Sequence, residues 1–281
     1  GRTSDATFYH PIDRLYEANR EVRLLQEMVL GMGGMRLLRI LNILPGVYHM
    51  NEGHSVFMAL ERLRDNMASG MAFAEALERV RSNTLFTTHT PVPAATKPSL
   101  WSSCSALQRH GPASLGLSWP QFAQLGQIEG GDSSAFEMTV LALRLSGWAN
   151  GVSRLHGVVS RHMWNNLWKS LPLAETPIGY VTNGVHFPTW CAANLKRLYA
   201  KYFGEGFRNK DYRIAAWQKV HDIPAAELWQ ERIFLKRKLV DHIRKRYSDP
   251  AQVRIDSPRQ MVQIVEGIKP DVLTIGFARR F

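Results

Sequence analysis

Cysteine is almost missing from this sequence. Cys104 and Cys191 are the only two in 281 residues, too few for a disulfide framework and without the close spacing of metal ligands. A reducing, cytoplasmic setting is the default expectation. Long apolar runs are missing as well. No stretch reaches the ~18 to 20 uninterrupted residues of a membrane span, so no membrane partner is expected. The opening Gly1-Arg2-Thr3-Ser4-Asp5-Ala6 lacks the apolar core of a secretory signal. No internal repeat is visible, which excludes a solenoid. Gly31-Met32-Gly33-Gly34 is not G-x-G-x-x-G and does not directly follow a strand, which excludes a dinucleotide-binding turn.

What is present is an ordinary globular composition, with 45% apolar and 21% charged residues. The length suggests one or two domains with a sizeable core. The net charge of +11 is unevenly placed: residues 1–150 carry 13 basic and 13 acidic side chains, residues 151–281 carry 22 and 11. Such an excess fits nucleic acid, an anionic surface or a phosphorylated small substrate. Lys236-Arg237-Lys238 and Arg244-Lys245-Arg246 concentrate it on one helix. A solvated outer face is the simpler explanation there, because no recognition-module signature accompanies the run. A nucleic-acid-binding basic module is thus the weaker alternative, and no nucleic acid partner is expected.

Periodicity gives an α/β rhythm. Leu25, Met28, Val29, Met32, Met35 and Leu38 fall at three- and four-residue steps and predict a helix over 21–41, with Gly31, Gly33 and Gly34 weakening or close-packing it. Gly46 to Met50 is β-prone. Helices follow over 55–66 and 72–81, then a buried strand over 84–88 that stops at His89-Thr90-Pro91. Residues 94–120 read as irregular surface. Helical pattern returns over 134–146 and 160–168, and a strand over 178–182 ends at Asn183-Gly184, a dipeptide suited to positive φ. Pro224 opens a helix to about Tyr247 with Leu228, Leu235, Leu239 and Ile243 on one side. A last buried-type strand is expected over 271–277.

Polar tips follow these runs. His49, Glu52 and His54 are zinc-ligand types, which opens a metal-dependent hydrolase as a further alternative. Their H-x-x-E-x-H spacing matches neither H-E-x-x-H nor H-x-x-E-H; helix capping and local hydrogen bonds account for them equally well, and no metal is expected. His89, held between a strand and a proline turn, has a fixed backbone. Asn150-Gly151 and Asn183-Gly184 are, alone, only turns.

Together the tips carry more. Gln26-Glu27-Met28-Val29-Leu30-Gly31, Val47-Tyr48-His49-Met50-Asn51-Glu52-Gly53-His54-Ser55 and Phe86-Thr87-Thr88-His89-Thr90-Pro91-Val92-Pro93-Ala94 come first. Ala149-Asn150-Gly151-Val152-Ser153-Arg154-Leu155-His156-Gly157, Thr176-Pro177-Ile178-Gly179-Tyr180-Val181-Thr182-Asn183-Gly184-Val185-His186 and Leu273-Thr274-Ile275-Gly276-Phe277-Ala278-Arg279-Arg280-Phe281 follow in order. The set resembles the α-glucan phosphorylases (the glycogen, starch and maltodextrin phosphorylase family), above all their shorter bacterial and archaeal branch, in the middle portion of the chain.

The resemblance implies a two-lobed glycosyltransferase with Rossmann-like lobes, only partly present here. Residues 1–182 would be the C-terminal part of the N-terminal lobe, and 183–281 the truncated beginning of the cofactor-side lobe. It implies an α-1,4-glucan and inorganic phosphate as substrates, glucose 1-phosphate as product, and pyridoxal phosphate as cofactor on a lysine that would lie beyond Phe281. It implies that the main-chain carbonyl of His89 faces the glucosyl residue, that Glu52 and His54 line the glucan side, and that Asn183 bonds a sugar hydroxyl. Arg280 would bind phosphate, and Leu15 to Arg20 would gate the cleft. A homo-oligomer is a further expectation, as is inactivity of these residues on their own.

Overall fold

A computed structural model describes residues 19–90, 115–130, 136–204, 207, 217–247 and 258–277. The chain divides into two compact units, residues 1–184 and 185–281. The first begins with α1 (Arg20–Met28), a π-helical stretch (Val29–Gly33) and α2 (Gly34–Ile40). Then come β1 (Tyr48–Asn51), α3 (Phe57–Ala68), α4 (Phe73–Arg81), β2 (Thr84–Thr87), α5 (Trp119–Gly126), α6 (Met138–Arg144), β3 (Trp148–Gly151), α7 (Arg154–Trp164) and β4 (Ile178–Tyr180). The four strands form one parallel sheet in the order β1-β2-β3-β4. The α/β class expected from the rhythm is the class observed.

A sheet that grows in one direction through right-handed crossovers sends every connecting helix to the same face. The register obeys this. Met50, Phe86, Ala149 and Ile178 are aligned across the sheet. They pack with Leu60, Leu63, Val80 and Leu141 from the connecting helices. Met50 and Phe86 are fully buried, each worth about 1.5–3 kcal/mol relative to exposure. Side chains alternate along a strand, so His49, Asn51 and Trp148 lie on the other face, where all three are exposed.

Polar side chains tie this core together. Arg62 of α3 is buried; it donates to Thr84 Oγ1 at 2.6 Å and to Asn83 Oδ1 at 2.5 Å, and its guanidinium lies 3.6 Å from the Tyr48 ring centroid. Burial lowers its pKa, with Tyr48 acting in the opposite sense. Glu61, also buried, accepts through Oε1 from Arg36, Arg39 and Arg64.

Several expectations need correction. The periodic helix over 21–41 is interrupted by the π-helical stretch, and Gly31 explains why it is tolerated: a Cβ there would lie 2.5 Å from Met58 N. The end of the stretch expected to be irregular, residues 118–120, is not, because Pro120 starts α5 rather than breaking it, and Ser118 N–H donates to Gln121 Oε1 at 2.8 Å. Trp148–Gly151 is a strand that the sequence reading left as a tip. α7 begins six residues before the expected helix, because Ser153 caps it by accepting from His156 N–H at 3.1 Å. Asn183 and Gly184 do not adopt positive φ; Asn183 N–H continues the ladder to Val152 O at 3.0 Å.

The second unit holds α8 (Phe187–Trp190), α9 (Ala193–Phe203), α10 (Ala225–Tyr247) and α11 (Pro258–Gly267). Its core is aromatic: Phe203 meets Phe207 edge-on at 4.9 Å between centroids, and Phe187 meets Trp217 at 5.2 Å. Glu227 of α10 accepts from Lys201 Nζ at 2.8 Å and Tyr202 O–H at 2.7 Å of α9, which lowers the Glu227 pKa. On α10, Leu228 packs against this core and Leu235 and Ile243 are half-buried, as predicted, whereas Leu239 is 51% exposed and Val240 is buried instead. The basic run is not wholly solvated either. Lys236 Nζ donates to Val272 O, and Arg244 donates to Ile268 O at 2.9 Å. Residues 272–277 pair with no strand among the described residues, and Leu273, Ile275 and Phe277 are exposed. The buried strand expected there is not formed.

The glycine run gives a direct test by urea unfolding. Gly31→Ala should lose about 1–3 kcal/mol, because its Cβ meets the Met58 backbone. Gly34→Ala, with nothing within 4 Å, should gain up to about 1 kcal/mol from helix propensity.

Candidate active site

Parallel sheets gather their functional groups at the carboxyl ends of the strands, and the last register row here is polar. Asn51, Thr87 and Asn150 stand side by side at the ends of β1, β2 and β3. His49 Nε2 is 2.7 Å from Thr87 Oγ1, which donates onward to Asn150 Oδ1 at 2.9 Å. Asn150 Nδ2 donates to Gly151 O at 3.0 Å. With the hydroxyl proton committed to Asn150, the imidazole must donate, so the proton sits on Nε2.

One residue beyond β1, Glu52 holds φ 62° and ψ −179°. Almost only glycine adopts that region, at a cost of order 1–3 kcal/mol for other residues. Two sets of bonds hold it there. Its N–H donates to Thr87 O at 2.9 Å, and its Oε1 accepts from His89 N–H and from Thr90 Oγ1, the latter at 3.0 Å. His89 Nε2 meets Asn51 Oδ1 as well. His89 is therefore fixed at ring and main chain, and its own carbonyl lies between two anchored groups.

Glu52 and His89 are thus in direct contact. His54 sits on the 3-10 turn Gly53–Ser55 and turns to α1 instead, with Nδ1 3.1 Å from Glu27 Oε1. Asn183, exposed, is bonded through its N–H to the segment after β3, at the same edge of the sheet but two strand spacings from β2, about 10 Å. Arg280 and Leu15 to Ala18 lie outside the described residues. His49, Glu52 and His54, the set considered for a metal, have three different partners. No group of three or more potential ligands exists among the described residues, and no helix among them is long and apolar enough to cross a membrane.

Sequence reasoning overlooked Asn51, Thr87, Thr90 and Glu27. The first two had a signal: each is the polar residue that ends a short strand, one step past a buried apolar one. The arrangement supplies fixed amides, hydroxyls, imidazoles and an anchored carbonyl, groups suited to a polyhydroxyl ligand. Thr87→Val should cost about 1–3 kcal/mol in urea unfolding, because buried Asn150 loses its donor. His49→Ala, on the exposed end of the same chain, should cost under about 1 kcal/mol.

Comparison with known proteins gives the chain's relatives. The chain is 39% identical over 269 residues to the maltodextrin phosphorylase of Thermococcus litoralis, a match covering 96% of this chain and 31% of that protein. The glycogen phosphorylase of Aquifex aeolicus is 37% identical over 269 residues, 95% of this chain and 38% of its own. That of Mycobacterium tuberculosis is 39% identical over 283 residues, 95% and 32%. The chain spans about a third of the length of the curated relatives it matches. No family profile matches it. Over nearly its whole length, this chain is a homologue of part of the glycogen and maltodextrin phosphorylases.

Proposed function

We propose that these residues build the glucan-binding side of an α-glucan phosphorylase cleft. Such an enzyme cleaves a terminal α-1,4 bond with inorganic phosphate and releases glucose 1-phosphate with retention of configuration. In this reading residues 1–182 belong to one lobe and 183–281 open the other, Asn183 bonds a sugar hydroxyl, and Arg280 binds phosphate. The observation that carries it is the Glu52 clamp, in which a strained acidic residue at a strand end holds the main-chain N–H of His89 and the side-chain hydroxyl of Thr90.

The clamp has a chemical use. Glycosyl transfer passes through an oxocarbenium-like state whose positive charge a fixed carbonyl dipole stabilises without reorganising. In this reading His89 O, held between the Glu52-bound N–H and the Glu52-bound Thr90 hydroxyl, supplies that dipole. Glu52 then acts mainly by aiming the backbone, and His54 lines the glucan side.

Pyridoxal phosphate supplies acid–base chemistry toward the attacking phosphate when bound in this family. It needs a lysine that can form a Schiff base beside an anion pocket. Several described lysines are already engaged. Lys196 donates to Pro188 O, Lys201 to Glu227, Lys219 to Phe203 O and Lys236 to Val272 O. We place the cofactor outside these residues.

Titration of the 281-residue chain with maltoheptaose tests the reading. In Glu52→Gly, relief of about 1–3 kcal/mol of strain is nearly offset by about 1 kcal/mol of added chain entropy, so the melting temperature should move by only a few degrees. Maltoheptaose affinity should fall at least about tenfold. Unchanged affinity would overturn the role of the clamp. Supplied with pyridoxal phosphate, phosphate and maltodextrin, the chain alone should release no glucose 1-phosphate; turnover would overturn the placement of the cofactor.

A further inference from the structure

We infer that His156 is a positioning residue for Asn183, acting through the turn that follows β3. The inference rests on the proposed reading of Asn183 as a sugar contact. Val152 N–H donates to His156 Nδ1 at 3.1 Å. The Val152 carbonyl in turn accepts from Asn183 N–H at 3.0 Å. The two peptide units that flank Val152 thus link a buried ring to the exposed residue that would meet the sugar. A backbone N–H only donates, so Nδ1 is the acceptor and the neutral ring carries its proton on Nε2.

The sequence builds this link locally. Ser153 caps α7 by accepting from His156 N–H at 3.1 Å, which fixes the main chain of His156. In a capping box the third helical residue returns to the cap itself; here its ring returns one residue earlier, into the turn. Two glycines let it lodge there. A Cβ on Gly151 would lie 2.9 Å from His156 Nδ1, and one on Gly157 would lie 2.9 Å from Gly179 O of β4. The first turn of α7 therefore rests directly on the ends of β3 and β4. The same turn holds the segment after β4 a second time, because Gly151 O accepts from Val181 N–H at 3.0 Å.

Stability alone gives no reason for histidine at this position. The residue is 8% exposed, and its Nε2 is buried with no hydrogen-bond partner among the described residues. Burying such a donor costs stability, and an apolar side chain such as leucine would avoid that cost. What leucine lacks is an acceptor for Val152. A group kept against its own burial cost for one specific bond is the pattern of a functional site.

A helix cap would stabilise α7 and leave Asn183 as it is, so the test reads Asn183 directly. In the 15N-labelled 281-residue chain, a through-hydrogen-bond 15N–15N coupling should join the Val152 amide to His156 Nδ1. His156→Leu should abolish it and speed hydrogen exchange of the Asn183 amide at least about tenfold. The Glu52 amide, bonded to Thr87 O, should exchange as before. His156→Asn, whose Oδ1 can stand where Nδ1 does, should keep Asn183 exchange within about twofold of wild type and serve as the conservative rescue. Maltoheptaose affinity should fall about fivefold or more in His156→Leu and in Asn183→Ala, and stay within about twofold in His156→Asn. No coupling in the wild-type chain, Asn183 exchange unmoved by His156→Leu, or affinity lost in Asn183→Ala but kept in His156→Leu would each overturn the inference. Faster exchange with unchanged affinity in both His156→Leu and Asn183→Ala would keep the link from His156 to Asn183 but sink Asn183 as a sugar contact.

Discussion

The two-residue alternation of the parallel sheet is the constraint on which the rest depends. Once Met50, Phe86, Ala149 and Ile178 are committed to the core, the next residue of each strand must point the other way. That places Asn51, Thr87 and Asn150 together, with no separate instruction needed. A slip of one residue would turn this polar row into the apolar core and the core row out of it. The polar network and the packing thus enforce the same register from opposite faces. Thr87 shows the coupling best. Its backbone carbonyl holds Glu52, and its hydroxyl joins His49 to Asn150.

Strain at Glu52 follows from where the chain must go next. Gly53 cannot carry a side chain because Met138 lies against it, and it opens the 3-10 turn that leads into α3. The reversal is therefore made one residue earlier, at a position whose side chain is needed. A position that breaks local preference and is held in place by several bonds is the pattern expected of a functional site rather than of a scaffold. The same region contains the π-helical stretch, a second local irregularity, and both lie within reach of His54.

The sequence made the helices with a clear apolar stripe legible, and with them β2, whose Leu85 and Phe86 favour strands. It did not reveal β3, because Trp-Ala-Asn-Gly has little β preference of its own and forms a strand only between β2 and β4. It also misled at 271–277, where an alternating apolar pattern finds no partner strand among the described residues. Of the site, Glu52, His89, His54 and Asn183 were visible through resemblance. The bonds that relate them were not. Glu52 reaches the main chain of His89 from a strained backbone, and His54 meets Glu27 across 27 residues of sequence; neither leaves a mark on composition or periodicity.

Charge, the loudest signal in the composition, turns out to be spent on structure in several places. Arg36, Arg39 and Arg64 converge on one Glu61 oxygen, and Lys236 and Arg244 bond main-chain carbonyls. At the strand ends the balance is different again. Two carboxylates, Glu52 and Glu27, are both engaged by protein donors, and what remains around them is amide, hydroxyl, imidazole and carbonyl. Neutral donors and acceptors at fixed positions discriminate by the geometry of hydroxyl groups and make little use of long-range field. That physical character is the one on which the proposed glucan reading depends.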